Sequence, residues 1–181
     1  MTKNKLFAFI IIINLSFISG CLVPEKISYT IKLDIDNRGI ATMQFYNIKS
    51  NAEYDDEFQE DKKNLFDYIS KNDKLVTQLK VEGKDILSRE LYVEEGALNG
   101  KAEYKFSDIK NVEGIIFEDG FYYLTLALDD SVISTNGQII VSKDYKRILW
   151  DKNIRTLKFE MYSTDFDDKN FKALAPFYNS K

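Results

Sequence analysis

Of the side chains that usually carry chemistry, this sequence keeps carboxylates, amines and phenols and almost nothing else. Its 181 residues contain no histidine and a single cysteine, Cys21. Without imidazole there is no Ser-His-Asp or Cys-His nucleophilic pair, no histidine general base and nearly no catalytic zinc arrangement. Phosphate-cradling glycine motifs are missing too: Gly114 and Gly120 sit in hairpin context without Walker or dinucleotide spacing. The expectation is therefore no catalytic residue, no cofactor and no metal site.

Two chemistries survive that exclusion. Paired carboxylates hydrolyse glycosides, and Asp34 with Asp36, or Glu94 with Glu95, are the candidates. Acids alternating on a strand are more often its solvated face. Hard cations take oxygen ligands, which Asp165-x-Asp167-Asp168 or the group Glu53, Asp55, Asp56, Glu57 could supply. The first lacks the glycine and distal glutamate of an EF-hand loop, and both read more simply as helix N-termini. Beyond these, the chain offers recognition by aromatic rings, with 13 Phe, 11 Tyr and one Trp. Trp150, beside polar Asp151-Lys152-Asn153, joins Phe58, Phe66 and Tyr123 as a tentative ligand pocket between helix and sheet. The plainer alternative is that these rings fill the core.

Elements must hold these residues in place. Ile27 to Asp36 alternates apolar and polar as a half-buried strand, Asp36-Asn37-Arg38-Gly39 turns, and Ile40 to Ile48 returns. An amphipathic helix is expected from about Asp55 to Ser70, with Phe58, Leu65, Phe66 and Ile69 near one face. From Leu75 the period reads as two, through Leu75, Thr77, Leu79 and Val81; Leu87–Glu94 is a further strand, and 96–100 a loop before Ala102–Phe106. Ser107 or Asp108 caps one helical turn through Val112. Ile115–Phe117, Glu118-Asp119-Gly120 and Phe121–Leu128 form a second hairpin. Ile139–Val141 and Leu157–Met161 read as strands flanking Trp150, and a short C-terminal helix is expected between Thr164 and Pro176. The fold class that buries these faces most simply is α+β: one curved antiparallel sheet of about 7–8 strands packed against one main amphipathic helix.

The start of the chain divides as an export signal does. Met1–Lys5 is cationic, Leu6–Ile13 is an unbroken apolar run extended by Leu15, Phe17 and Ile18, and Ser19 and Gly20 precede Cys21. The run is shorter than the ~20 residues a membrane-spanning helix needs. Ile18-Ser19-Gly20-Cys21 resembles the lipobox of bacterial lipoproteins. That resemblance implies that residues 1–20 are a cleaved lipoprotein signal peptide and that Cys21 carries acyl chains, palmitate among them, which spends the one thiol on an anchor. It places the protein in a bacterial cell envelope: at the outer membrane if the source is Gram-negative, since Leu22 stands where an Asp would signal retention, and otherwise on the outer face of the cell membrane. Residues 21–26 then form a short acylated tether, reaching at most ~20 Å, before a single α+β domain over 27–181.

Without the signal, 161 residues remain, with 23 basic against 29 acidic side chains. That is one ordinary domain, large enough to fold without disulfides. Its acidic balance argues against a nucleic-acid partner. The hairpin around Asp36–Gly39, the strand from Lys101 to Phe106 leading into Ser107-Asp108-Ile109, and Ile148-Leu149-Trp150 before the last strand are similar to the LppM-like domain of bacterial lipoproteins. The C-terminal membrane helix common in that group has no counterpart in Asn179-Ser180-Lys181, so membrane contact is expected through the lipid on Cys21. The function these readings favour is a non-enzymatic envelope module that binds a membrane-proximal protein or lipid-like partner. The alternatives are a carrier of a small apolar ligand in a helix–sheet cavity and, further back, a carboxylate-only hydrolase.

Overall fold

Alternating strands bury one face each, and this chain has more such faces than one helix can cover. The computed structural model describes residues 22–34, 36–69 and 72–178; the expected signal peptide and Cys21 lie outside them. In chain order the elements are β1 Leu22–Val23, β2 Lys26–Leu33, β3 Gly39–Tyr46, β4 Lys49–Ser50, α1 Asp55–Lys63, α2 Asp73–Val81, β5 Lys84–Glu94, β6 Ala97–Phe106, β7 Ile116–Glu118, β8 Phe121–Leu126, β9 Val132–Thr135, β10 Gln138–Val141, β11 Lys146–Asp151, β12 Thr156–Tyr162 and β13 Lys172–Ala173. Residues Asn64–Ile69 continue α1 as a wider π-helical turn.

The class is α+β with antiparallel strands, but the single curved sheet is corrected to three. Six strands run in the order β5-β6-β3-β2-β12-β9, four in the order β10-β11-β8-β7, and β1-β4-β13 make a small third sheet. The two larger sheets cover each other. Tyr29, Ile31, Ala41, Met43, Tyr104, Leu157 and Phe159 from the first meet Tyr122, Leu124, Leu126, Ile148 and Trp150 from the second in one core. The helix α1 covers a separate, smaller cluster of Ile48, Ala52, Phe58, Leu65, Leu91, Leu98, Leu174 and Ala175. Its amphipathic stripe is too short to seal both, so sheet on sheet is the way the long strands leave water.

Further elements differ from expectation. Residues 73–81 are helical, not extended. The Asn72 side chain accepts the Lys74 N–H at 2.7 Å, capping the helix, and the half-buried positions 72, 75, 76 and 79 follow the helical stripe rather than a period of two. Residues 97–100 belong to β6, because Glu95 (φ 52°) and Gly96 (φ 81°) close a two-residue turn that leaves no room for a longer loop. The helix expected from Thr164 does not form: turns and β13 occupy 164–174, and a single 3₁₀ turn follows at Ala175–Phe177. Asp167 takes the Lys169 N–H at 3.0 Å and the Asn170 amide at 2.6 Å, closing a turn where a helix would start. The helical turn after Asp108 is present over Ile109–Asn111, with the Asp108 carboxylate accepting the Lys110 N–H.

Within the stretch expected as a tether, Leu22 and Val23 pair with Ser50 and Lys49, and β2 begins at Lys26. Asn136 and Gly137 carry the chain from β9 in the six-stranded sheet to β10 in the four-stranded one. At Gly137 a Cβ would stand 2.7 Å from both the Leu149 carbonyl and Trp150 Nε1, so only glycine lets the tryptophan close over the crossing.

Candidate functional site

The four residues of the expected pocket lie in three places. Trp150 is fully buried between the two large sheets, its ring tilted against that of Phe159 at 6.1 Å, with its indole N–H bonded to Asn136. Phe58 and Phe66 share the smaller cluster under α1: Phe58 meets Phe177 edge-on at 5.5 Å and Phe66 meets Tyr178 at 5.5 Å. Tyr123 stands apart on the outer face of the four-stranded sheet.

That outer face carries a continuous cross-strand arrangement. Pairing places Ile116 opposite Tyr123, Tyr123 opposite Leu149, and Leu149 opposite Gln138, one row across β7, β8, β11 and β10. The neighbouring row is Thr125, Arg147 and Ile140. Alternation sends their partners Tyr122, Leu124, Ile148 and Trp150 into the core, so these rows face out. Ile116 is 47% exposed, Phe121 42% and Ile140 40%. The Arg147 guanidinium lies 4.7 Å from the Tyr123 ring centroid and 4.5 Å from that of Tyr145, and its Nε donates to Thr125 Oγ1 at 3.1 Å. The Tyr123 hydroxyl donates to Glu118 at 2.8 Å; that bond raises its pKa, and Arg147 works against it. Arginine and both tyrosines are thus held in fixed geometry among apolar Ile116, Phe121, Ile140 and Leu149 and polar Glu118, Thr125 and Gln138. Edge strand β10 also exposes Ile139 and Val141, 44% and 62%, on the opposite side of the sheet in register with Ile148 and Lys146, and one side of its backbone is unpaired among the described residues.

A second polar constellation is largely buried, with Glu113 half-buried at its rim. Glu113, at φ 52°, turns its carboxyl into the main core beside Tyr29, Tyr104 and Lys84. Burial raises the Glu113 pKa, while the Lys84 ammonium and a hydrogen bond from Tyr29 lower it. Burial likewise drives the Tyr29 and Tyr104 phenols well above their ordinary range. The Tyr104 hydroxyl and Glu113 Oε1 lack hydrogen-bond partners in the protein, and Lys84, only 9% exposed, lies 6.0 Å over the Tyr104 ring. Sequence reading missed this group: Glu113 precedes a turn glycine and Lys84 follows one at the start of β5, where charge normally faces water. Its charges are set mainly by burial and by one another, so the cluster bears on stability.

The carboxylate candidates are dispersed. Asp34 and Asp36 line a shallow hollow with Leu33, Arg38 and Arg155, and Asp36 pairs with Arg38 at 3.1 Å. Glu94 and Glu95 end β5 and begin its turn, both exposed. Asp168 is held by Lys49 at 2.5 Å and Asp55 by Lys172 at 3.3 Å. Among the described residues no group of three acids is placed to hold a metal ion, and no helix is long and apolar enough to cross a membrane.

Fold and site together define an α+β domain of two packed sheets and a smaller third that offers an aromatic, arginine-clamped sheet face. No protein-family model, curated protein or solved structure is significantly similar to this chain.

Proposed function

We propose that this is a lipid-anchored protein of a bacterial cell envelope, held through Cys21, whose domain binds a membrane-proximal protein through the outer face of the four-stranded sheet. The anchor is supported by the lipobox-like Ile18-Ser19-Gly20-Cys21 behind a cationic start and apolar run. The observation that carries the binding role is the outward row Ile116–Tyr123–Leu149–Gln138 with Arg147 beside it. An apolar face of this kind left in water is typical of an interaction site. Tyrosine and arginine are the residues in which binding energy concentrates, and here their rotamers are already ordered by stacking, which lowers the entropy lost on association.

The test is site-specific photo-crosslinking in native membranes, with the photoreactive residue at position 140. The expected result is one discrete adduct that disappears when Arg147→Ala is added. No adduct, or a pattern indifferent to Arg147→Ala, sinks the binding face. Native mass spectrometry of a Cys21→Ser form tests the carrier alternative around Phe58 and Phe66: a stoichiometric lipid-like mass would move the function there.

A further inference from the structure

We infer that the end of the domain formed by β1, β4, β13 and the start of α1 rests directly on the bilayer, with its aromatic rings at headgroup level. The inference depends on acylation of Cys21. Leu22 is not free leader: it pairs with Ser50 and packs against the smaller cluster, and Val23 pairs with Lys49. One Cα-to-Cα step of ~3.8 Å separates Leu22 from the acylated residue, against the ~20 Å that six unstructured residues would span. The anchor therefore fixes which end of the domain meets the membrane as well as how far away it is held.

Antiparallel pairing directs the N-terminal side of Leu22 toward Asn51, and on the other side of β4 the same register runs from Lys172 back to Phe171. The surface around that end is aromatic. Tyr54 is 65% and Phe177 49% exposed, and Phe166 meets Phe171 edge-on at 5.7 Å. Lys62 lies 4.2 Å over the Phe177 ring, and Lys49 lies 5.7 Å from that of Phe166. Aromatic rings beside long-stemmed lysines suit the boundary between acyl chains and water.

Charge decides which lipid. Lys49 is paired with Asp168 and Lys172 with Asp55, and against the remaining Lys62 stand the acids Glu53, Asp56, Glu57 and Asp165. A surface of that balance gains nothing from anionic headgroups, so the partner is a zwitterionic bilayer surface. The four-stranded sheet contributes only to the other core cluster, which leaves its outer face clear of this contact.

Trp150 is the sole tryptophan and is buried, so an added tryptophan can be read above a constant background. Purified acylated protein is placed in phosphatidylcholine vesicles with bromine high on the acyl chains, as Phe177→Trp, Tyr54→Trp and Ile140→Trp variants. Emission at 177 and 54 is expected to be quenched and emission at 140 is not. Equal quenching at both ends, or none at 177 and 54 in protein whose acyl mass is confirmed, overturns the orientation. Absence of the acyl mass overturns the lipid-anchor reading instead. Replacing part of the phosphatidylcholine with phosphatidylglycerol should leave the quenching unchanged or lower it; an increase overturns the choice of lipid.

Discussion

The indole N–H of Trp150 donates to Asn136 Oδ1 at 2.9 Å, and the same oxygen accepts the Lys158 backbone N–H at 2.8 Å. One amide side chain thereby joins β11 of one sheet to β12 of the other, where the chain crosses between them. Asn136→Ala strands a buried donor, so a loss of about 1–3 kcal/mol is expected. Urea unfolding followed by Trp150 emission measures it; no measurable loss would mean that the two sheets are joined without this amide.

At the adjoining residue, Gly137→Ala puts a methyl group 2.7 Å from the Leu149 carbonyl and 2.8 Å from Ile148 Cγ2. Backbone on one side and a packed side chain on the other leave it nowhere to go. The expected cost is about 1–3 kcal/mol, in the range of other overpacked cores, and it should appear as a lower thermal midpoint with altered near-ultraviolet tryptophan dichroism. A neutral outcome would contradict the close packing of Trp150 over the crossing.

Glu113 makes stability depend on pH. Its pKa in the folded protein lies above the ordinary 4.5 because of burial, so the folded state holds its proton more tightly than the unfolded chain does. That contribution is complete below the unfolded value and is lost as pH rises through the folded one. Glu113→Gln removes the dependence. Across pH 4 to 8, denaturant midpoints should shift in favour of the variant as pH rises, then level off. A shift in the opposite direction would show that the Lys84 charge outweighs burial.

On the outer face the reverse separation is expected: a change that matters to binding and little to folding. Arg147 lies over Tyr123 and Tyr145 at a half-buried site, where a cation–π contact contributes about 0.5–1 kcal/mol. Arg147→Ala should therefore lower stability by no more than about 1–2 kcal/mol even with its Thr125 bond included. Arg147→Lys keeps the charge but not the planar stacking, and should weaken crosslinking from position 140 almost as much as alanine does. Full crosslinking in the lysine variant would reduce the residue's role to charge alone.

The hairpins at 26–46 and 116–126 were legible because alternation and turn chemistry agree there, with Asn37 at positive φ in one turn and Asp119-Gly120, both at positive φ, closing the other. The helix from Asp55 was legible from its acidic first turn and apolar stripe. Residues 73–81 were not, because Leu75, Thr77, Leu79 and Val81 satisfy a period of two while the cap at Asn72 selects the helix. The division into two sheets depends on which strand edges meet, and local pattern carries no information on that. Tyr123 was singled out, but with Trp150 as its companion; its actual neighbours Ile116, Leu149 and Arg147 emerge only from cross-strand register. Glu113 escaped notice because a charged residue before a glycine reads as exposed turn.

The smallest sheet has a consequence for how the molecule is made. Ser50 faces Leu22 on one side and Lys172 on the other, so the first and last strands of the domain close around the same two residues. The pairing of β4 with β13, like that of β2 with β12, is a long-range contact, and non-local contacts form late. A polypeptide emerging N-terminus first must leave β1 with half its seat until β13 arrives. Loss of the final ten or so residues would consequently be felt at the other terminus, loosening the grip on Leu22 while the sandwich itself stays folded.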